Sequence, residues 1–546
     1  MFEWLNQESR DFLKDYLVDG ESPEKRIKDI CNNAEKILGM TGFSDKFYNY
    51  MSKGYYSLSS PVWSNFGRER GCPISCFNSH CTDSCEGIMG TVSEVSMMTK
   101  LGGGTSGYFG DLRPEGAEIS SGGESDGPVS FIRLFDTVSD VWKQAQVRRG
   151  SFAAYLPIEH PDINRFLNIR HPGDLIQKVF PAVTVTDDWM NSMIEGDSDK
   201  RDIWAKVLKS RTETGTPYIM FSDNVNNRLP EWYKENGLKV NSSNLCSEIL
   251  LNSDKDNSFV CCLSSINLQH WDELSKTDAI ETMIYFLDSV LTEFISKAKD
   301  IPHMQRAVNF AKRERAIGLG VLGWHSYLQE KMIPVESLEC QGLNHRIFKE
   351  VQKQSHAASE RMAKEFGEPL MLKSHGRRHS FTNALAPTTS SSFILGQISK
   401  SIELFRSNYF VNNLAKGKYT FKNPKLMEVL KSKGKNTPDV QDSILKHDGS
   451  VQHLTNILDE HERNVFKTFK EVSQLEIIKQ AAERQKFIDQ GQSLNILVDP
   501  KTPVRDINSL HIEAWRAGIT CLYYQHSINA SQEVIRSMLN CSTCEG

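Results

Sequence analysis

Asn244-Leu245-Cys246-Ser247-Glu248 is the stretch from which the fold is read. A thiol stands two residues from an amide on one side and two residues from a carboxylate on the other. In an extended strand or at a loop tip, positions i−2, i and i+2 point the same way. Asn244, Cys246 and Glu248 are therefore candidates to face one substrate as a hydrogen-bonding amide, a nucleophile or radical carrier, and a proton acceptor. Composition alone could also produce such a run, so the rest of the chain has to decide.

The 546-residue chain has room for one large catalytic domain with accessory elements. A formal charge of −5 leaves no basic footprint for nucleic acid. No apolar run approaches the ~18 residues that span a bilayer, and Met1-Phe2-Glu3-Trp4 lacks the regions of a secretory signal. The expectation is a soluble, cytoplasmic protein with neither nucleic-acid nor membrane partners. Twelve cysteines are few for a disulfide scaffold of this length; in a reducing compartment they are buried, metal-binding or catalytic. They group as Cys72, Cys76, Cys81 and Cys85, then Cys246, Cys261 and Cys262, then Cys541 and Cys544, with Cys31, Cys340 and Cys521 alone.

Residues 1–55 read as a small helical segment in which Ser22 caps and Pro23 opens a helix. From there to about Ile398, short apolar runs alternate with glycine-rich turns and helical stretches such as Ala279 to Lys299, the pattern of an α/β core. Residues 414–470 are lysine-rich and polar and read as a solvated helical insertion; the chain from about Asn529 has little to pack and reads as a mobile arm.

Further segments carry chemistry. Cys76 follows Ser75 in Pro73-Ile74-Ser75-Cys76-Phe77, and Cys261 stands in Val260-Cys261-Cys262-Leu263. If the latter is a strand, Cys262 faces away from its neighbour. The end of the chain holds Cys541-Ser542-Thr543-Cys544, which suits either a dithiol shuttle or half of a zinc site whose other half is the Cys72 to Cys85 cluster. Tyr523-Tyr524 reads by itself as strand aromatics on opposite faces. Pro387-Thr388-Thr389-Ser390-Ser391-Ser392, before a helix, offers hydroxyls and backbone donors for phosphate or forms a plain polar loop. Gly102-Gly103-Gly104 permits close backbone approach.

Together with Arg315-Ala316-Ile317-Gly318-Leu319-Gly320-Val321 and Lys486-Phe487-Ile488-Asp489-Gln490, these segments resemble the catalytic large subunit of class I ribonucleotide reductases, from Ser60 to the terminal cysteines. The resemblance implies a ten-stranded α/β barrel over residues 56–528, built of two parallel five-stranded halves, with Cys246 on a central finger loop and a redox-active tail over 529–546. It implies reduction of ribonucleotides, as diphosphates, to 2′-deoxyribonucleotides. Cys246 would act as a thiyl radical, Glu248 as proton acceptor, Asn244 as sugar-orienting amide, and Cys76 with Cys261 as reductants. Tyr523 and Tyr524 would pass the oxidising equivalent, and Cys541 with Cys544 would shuttle electrons. Ser60, Ser75, Gly103, Gly104, Pro387, Thr388, Thr389, Ser390 and Ser391 would bind substrate. Asp83, Ser84, Gly122, Gly123 and Arg148 would bind a deoxynucleotide effector, the last within Val147-Arg148-Arg149-Gly150-Ser151.

The implied partners are a metal-containing, radical-generating small subunit, thioredoxin or glutaredoxin, and a second copy of the chain. The only ion expected is Mg carried with nucleotide. With 75 residues before Cys76, the N-terminal ATP-binding domain of larger members has no room here, as in short phage-like members. Two other readings stay open: a cobalamin-dependent reductase, and a zinc-stabilised nucleotide-binding regulator without catalysis.

Overall fold

The computed structural model describes residues 2–120, 122–144, 148–414 and 417–527; within 143–149 and 411–419 it describes backbone only. One nine-stranded sheet organises the molecule. In chain order its strands are β1 (Tyr56–Leu58), β2 (Cys76–His80), β3 (Gly104–Tyr108), β4 (Phe152–Pro157), β5 (Val179–Val185), β6 (Tyr218–Phe221), β7 (Phe259–Asn267), β8 (Ile317–Leu322) and β9 (Cys521–Leu522). β2 to β6 pair in parallel, each with the next, and form the first five-stranded half. These strands are nearly continuous buried runs, as expected where helices cover a parallel sheet.

The second half is assembled differently. β7 is antiparallel to β2 and β1 along one edge and parallel to β8 along the other. Beyond β8 the sheet continues as single parallel bridges, Leu319 with Asn383 and Leu385 with Gln492. The circuit closes where the chain leaves β9, which is antiparallel to β6. Tyr523 N–H donates to Leu494 O, and Gln525–Ser527 runs parallel to Ile496–Val498. The expected barrel thus has a regular half and a half closed by short segments.

The N-terminal segment is helical, with Ser22 accepting from Lys25 N–H and Pro23 in the first turn of Pro23–Leu38. Arg26 in that helix is buried and donates to the carbonyls of Val62, Trp63 and Phe66, so a cation that contributes no catalysis fastens the segment to the barrel. The helix Ala279–Ala298 is apolar on nearly every side and packs behind β7. Residues 414–470 differ from a purely solvated insertion. After the hairpin of Tyr409–Leu414 and Gly417–Lys422, the helices Pro424–Ser432, Pro438–Lys446 and Glu460–Val465 bury Leu426, Leu430, Ile444, Val451 and Phe466 in a small core of their own. Widely spaced apolar residues among lysines had concealed it.

Candidate active site

The finger loop is the segment between Asn236 and Ser258, which enters the barrel without helix or strand. Its sequence explains why. Asn, Ser and Asp recur through it, and their side chains bond the backbone in place of a ladder. Asn244 Oδ1 accepts from the N–H groups of Glu248 (3.0 Å) and Ile249 (3.1 Å), and Ser243 Oγ donates to Ile249 O. The barrel wall supplies the remaining partners. Asn78 of β2 and Ser106 of β3 donate to Ser243 O, and Tyr155 of β4 donates to Asn244 O at 2.9 Å.

Cys246 lies in a tight turn with Ser247 at φ 66°, a conformation uncommon for a residue with a side chain. The alternation expected of an extended segment therefore does not apply. Asn244 is turned inward to tie the loop, and its Nδ2 donates to Cys76 Sγ at 3.2 Å. Glu248 is buried, and desolvation pushes its carboxyl up to about 7 against the hydrogen bonds of Asn244, the backbone and Ser493. Ser493 Oγ reaches both the Cys246 carbonyl and Glu248 Oε2.

Cys76 and Cys261 stand directly opposite each other across the β2–β7 ladder. Opposed residues in an antiparallel pair are about 4.5–5.5 Å apart, within the span a disulfide bridges. Burial, with Cys76 as neighbour, holds the Cys261 thiol well above the ordinary range, so it is kept as S–H. Cys262 faces the other way, toward Asp288 and Arg315, as strand alternation requires.

Tyr523 donates from Oη to Cys246 Sγ at 3.5 Å. Its ring lies 4.4 Å from that of Tyr524, centroid to centroid. The two are side by side rather than on opposite faces, because the chain leaves the ladder just after β9. Tyr218 of β6 completes a triangle, 4.7 Å from Tyr523 and 5.1 Å from Tyr524. Tyr523 is buried and Tyr524 half-buried, so the cluster runs from Cys246 toward the surface.

Among the substrate candidates, Ser60 opens a short helix after β1, and the helix Thr389–Ile394 packs against β1, with Thr388 at φ 53° as its cap. Ser59, Ser60 and Ser75 carry buried hydroxyls with no partner, the state expected where a polar ligand completes the site. The glycines approach protein rather than open space. A Cβ on Gly104 would meet Leu245 of the finger loop at 3.3 Å, and one on Gly103 would strike the Phe77 ring. Pro387 lies just ahead of the cap, and Ser390 and Ser391 are buried in the first turn.

Asp83 and Ser84 line a separate cavity of about 510 Å³ together with Arg113, Glu124 and Ser125. Ser84 caps the helix Cys85–Lys100, while Asp83 pairs with Arg113 at 2.7 Å. Gly122 and Gly123, both at positive φ, shape the loop beside this cavity. Arg148 falls in a two-residue strand whose side chains lie outside the described residues, as do Cys541 and Cys544. Among the described residues no group of three metal-ligating side chains gathers, and Cys85 is exposed while Cys72, Cys76 and Cys81 are buried. Ser493, Tyr155 and Tyr218 were missed in the sequence. Each is a lone polar residue in an ordinary segment, with no motif around it.

A barrel enclosing a thiol at the end of a tyrosine cluster, with two more thiols in register beside it, is equipped for one-electron chemistry and thiol–disulfide exchange. The ribonucleotide reductase barrel-domain family matches residues 74–199, 193–372 and 369–525. A ribonucleoside-diphosphate reductase large subunit of invertebrate iridescent virus 3 is 33% identical, over 94% of this chain and 92% of its own. Large chain 2 of the Saccharomyces cerevisiae enzyme is 28% identical, over 90% of this chain and 65% of its own. In structure, the class Id ribonucleotide reductase alpha subunit of Actinobacillus ureae superposes with a TM-score of 0.92 at 52% identity, covering 97% of this chain and 98% of that one. The chain belongs to the ribonucleotide reductase family, as a class I large subunit.

Proposed function

We propose that the chain reduces ribonucleoside diphosphates to 2′-deoxyribonucleoside diphosphates for DNA precursor synthesis, using a radical received from a separate metal-containing small subunit. The observation that carries this reading is the contact of Tyr523 with Cys246 at the end of the tyrosine cluster, beside the opposed thiols of Cys76 and Cys261. Oxidised through Tyr524 and Tyr523, Cys246 takes the 3′-hydrogen atom of the ribose. Glu248, raised to about 7, accepts the 3′-hydroxyl proton near neutral pH. Asn244 orients the sugar. Cys76 and Cys261 provide two electrons and two protons, the 2′-hydroxyl leaves as water, and the pair becomes a disulfide. The thiol form favoured at Cys261 suits a proton donor. The hydrogen atom then returns from Cys246 to C3′.

The orphan hydroxyls of Ser60 and Ser75, with Gly103, Gly104 and the segment Pro387 to Ser391, form the substrate pocket, and Mg enters with the nucleotide. Cys541 and Cys544 carry electrons from thioredoxin or glutaredoxin to the closed barrel. A deoxynucleotide binds at Asp83, Ser84, Gly122, Gly123 and Arg148. Exposed Met89, Leu134 and Val141, on the packed helices Cys85–Lys100 and Gly127–Val141, support a homodimer through this face. Twelve cysteines, too few for a disulfide scaffold of this length, favour a reducing, cytoplasmic setting, and no helix among the described residues is long and apolar enough to cross a membrane.

The two tyrosines also separate this reading from a cobalamin-dependent one, which needs no route from a partner. Tyr523→Phe or Tyr524→Phe keeps the ring and removes the redox-active phenol, so turnover with the small subunit should be lost. The accompanying stability loss should be about 0.5–1.5 kcal/mol, the worth of one hydrogen bond. Wild-type turnover by either variant would overturn the route.

A further inference from the structure

Ser493 Oγ lies 2.6 Å from the carbonyl oxygen of Cys246 and 3.0 Å from Oε2 of Glu248. A serine hydroxyl has one proton and two lone pairs, while a carbonyl and an ionised carboxylate only accept. One proton cannot serve both oxygens fully, and two arrangements follow. With Glu248 ionised, Ser493 donates to the carboxylate and turns its proton away from the Cys246 carbonyl. With Glu248 protonated, the carboxyl donates to Ser493 Oγ, and Ser493 turns its own proton onto the carbonyl, which satisfies all three groups in series.

The backbone leaves little room to escape this choice. Ser493 N–H donates to Leu385 O, Leu385 N–H to Gly491 O, and Gly491 N–H to Glu248 O at 2.8 Å. A Cβ on Gly491 would come within 3.1 Å of Glu248 O, so a glycine is what permits the approach. The oxygens are fixed and the proton moves. The titratable groups around Glu248 are Cys261 of β7, Cys521 of β9 and Tyr155 of β4, each pushed by burial further toward its neutral form. Among the described residues, the groups that hydrogen-bond the carboxyl and lower it are uncharged: Asn244, the backbone and Ser493.

We propose that Ser493 is a positioning residue that couples the protonation state of Glu248 to the backbone carrying Cys246. The proposal rests on Glu248 being the acceptor of the 3′-hydroxyl proton. When that proton arrives, the Ser493 O–H rotates from the carboxylate to the Cys246 carbonyl; no bond of the serine breaks, and the received proton stays on Glu248. The finger-loop turn gains a hydrogen bond at the stage when Cys246 has become a thiol and the substrate holds the radical. Returning the proton to product releases it.

The test is kcat/KM against pH for the holoenzyme with its small subunit, in wild type, Ser493→Ala, Ser493→Thr and Glu248→Gln. Losing a donor that favours the charged carboxylate raises the pKa of Glu248. The acid limb of Ser493→Ala should therefore move up by roughly half to one pH unit, and its rate deficit should shrink as pH rises. Ser493→Thr, which keeps the hydroxyl, should return the limb to the wild-type position. An acid limb unmoved in Ser493→Ala, with the same deficit at every pH, would overturn the coupling. Glu248→Gln separates the two layers: its inactivity beside an unmoved limb rejects the coupling alone, whereas its retained turnover rejects Glu248 as acceptor and the coupling with it.

Discussion

Glu248 shows how much of the site's behaviour comes from burial at a single residue. Its carboxyl is raised from the usual 4.5 to about 7, with desolvation the largest cause. The folded protein then holds a proton that the unfolded chain releases, so stability falls as pH rises from the ordinary value through about 7. A shift of this size corresponds to roughly 3 kcal/mol. Glu248→Gln stays neutral throughout, so its stability relative to wild type should rise between pH 5 and pH 8 by up to about 3 kcal/mol. Urea unfolding at both pH values checks this, and an unchanged difference would mean that Glu248 titrates like an exposed carboxylate. Asn244, Cys246 and Glu248 were legible because three chemically distinct groups fall within five residues. Ser493 was not, because a hydroxyl acquires this role only when the fold brings the finger loop to it.

At the scale of elements, register does the work that no local motif announces. Cys76 and Cys261 are far apart in sequence, and the antiparallel pairing of β2 with β7 sets them opposite each other. The neighbouring strand is fitted to this pair. On β8, a Cβ at Gly318 would lie 2.4 Å from Leu263 Cδ2, 3.1 Å from Cys261 Sγ and 3.2 Å from the Ala384 Cβ. Gly318→Ala should therefore cost about 1–3 kcal/mol of stability through overpacking. By displacing Cys261 it should also cut the rate at which pre-reduced enzyme forms deoxynucleotide in a single round at least roughly tenfold, a barrier higher by about 1.4 kcal/mol or more. An unchanged single-round rate would show that the thiol pair tolerates movement of β8. The glycine was visible in the sequence, but its reason was not, since the crowding comes from two other segments. In residues 414–470, similarly, charge was legible and the small core beneath it was not.

Across the whole molecule, topology joins a half-buried tyrosine to an enclosed thiol. The alternating elements announced an α/β core, and the parallel half of the sheet follows that pattern. The closing half did not announce itself, because it rests on single bridges at Asn383 and Gln492 and on the short strand Gln525–Ser527, none of which has the length of an ordinary strand. That closure brings Tyr523 to Cys246, and in the proposed reaction it makes the barrel wall part of the radical route. In the proposed reaction the route ends on the thiol of Cys246. Cys246→Ser changes the volume little but replaces S–H by an O–H that is far harder to oxidise. Assayed as the holoenzyme with pre-reduced thiols and a ribonucleoside diphosphate, it should bind nucleotide as wild type does and form no deoxynucleotide even in one round. Deoxynucleotide formation by this variant would show that the radical reaches substrate through another group.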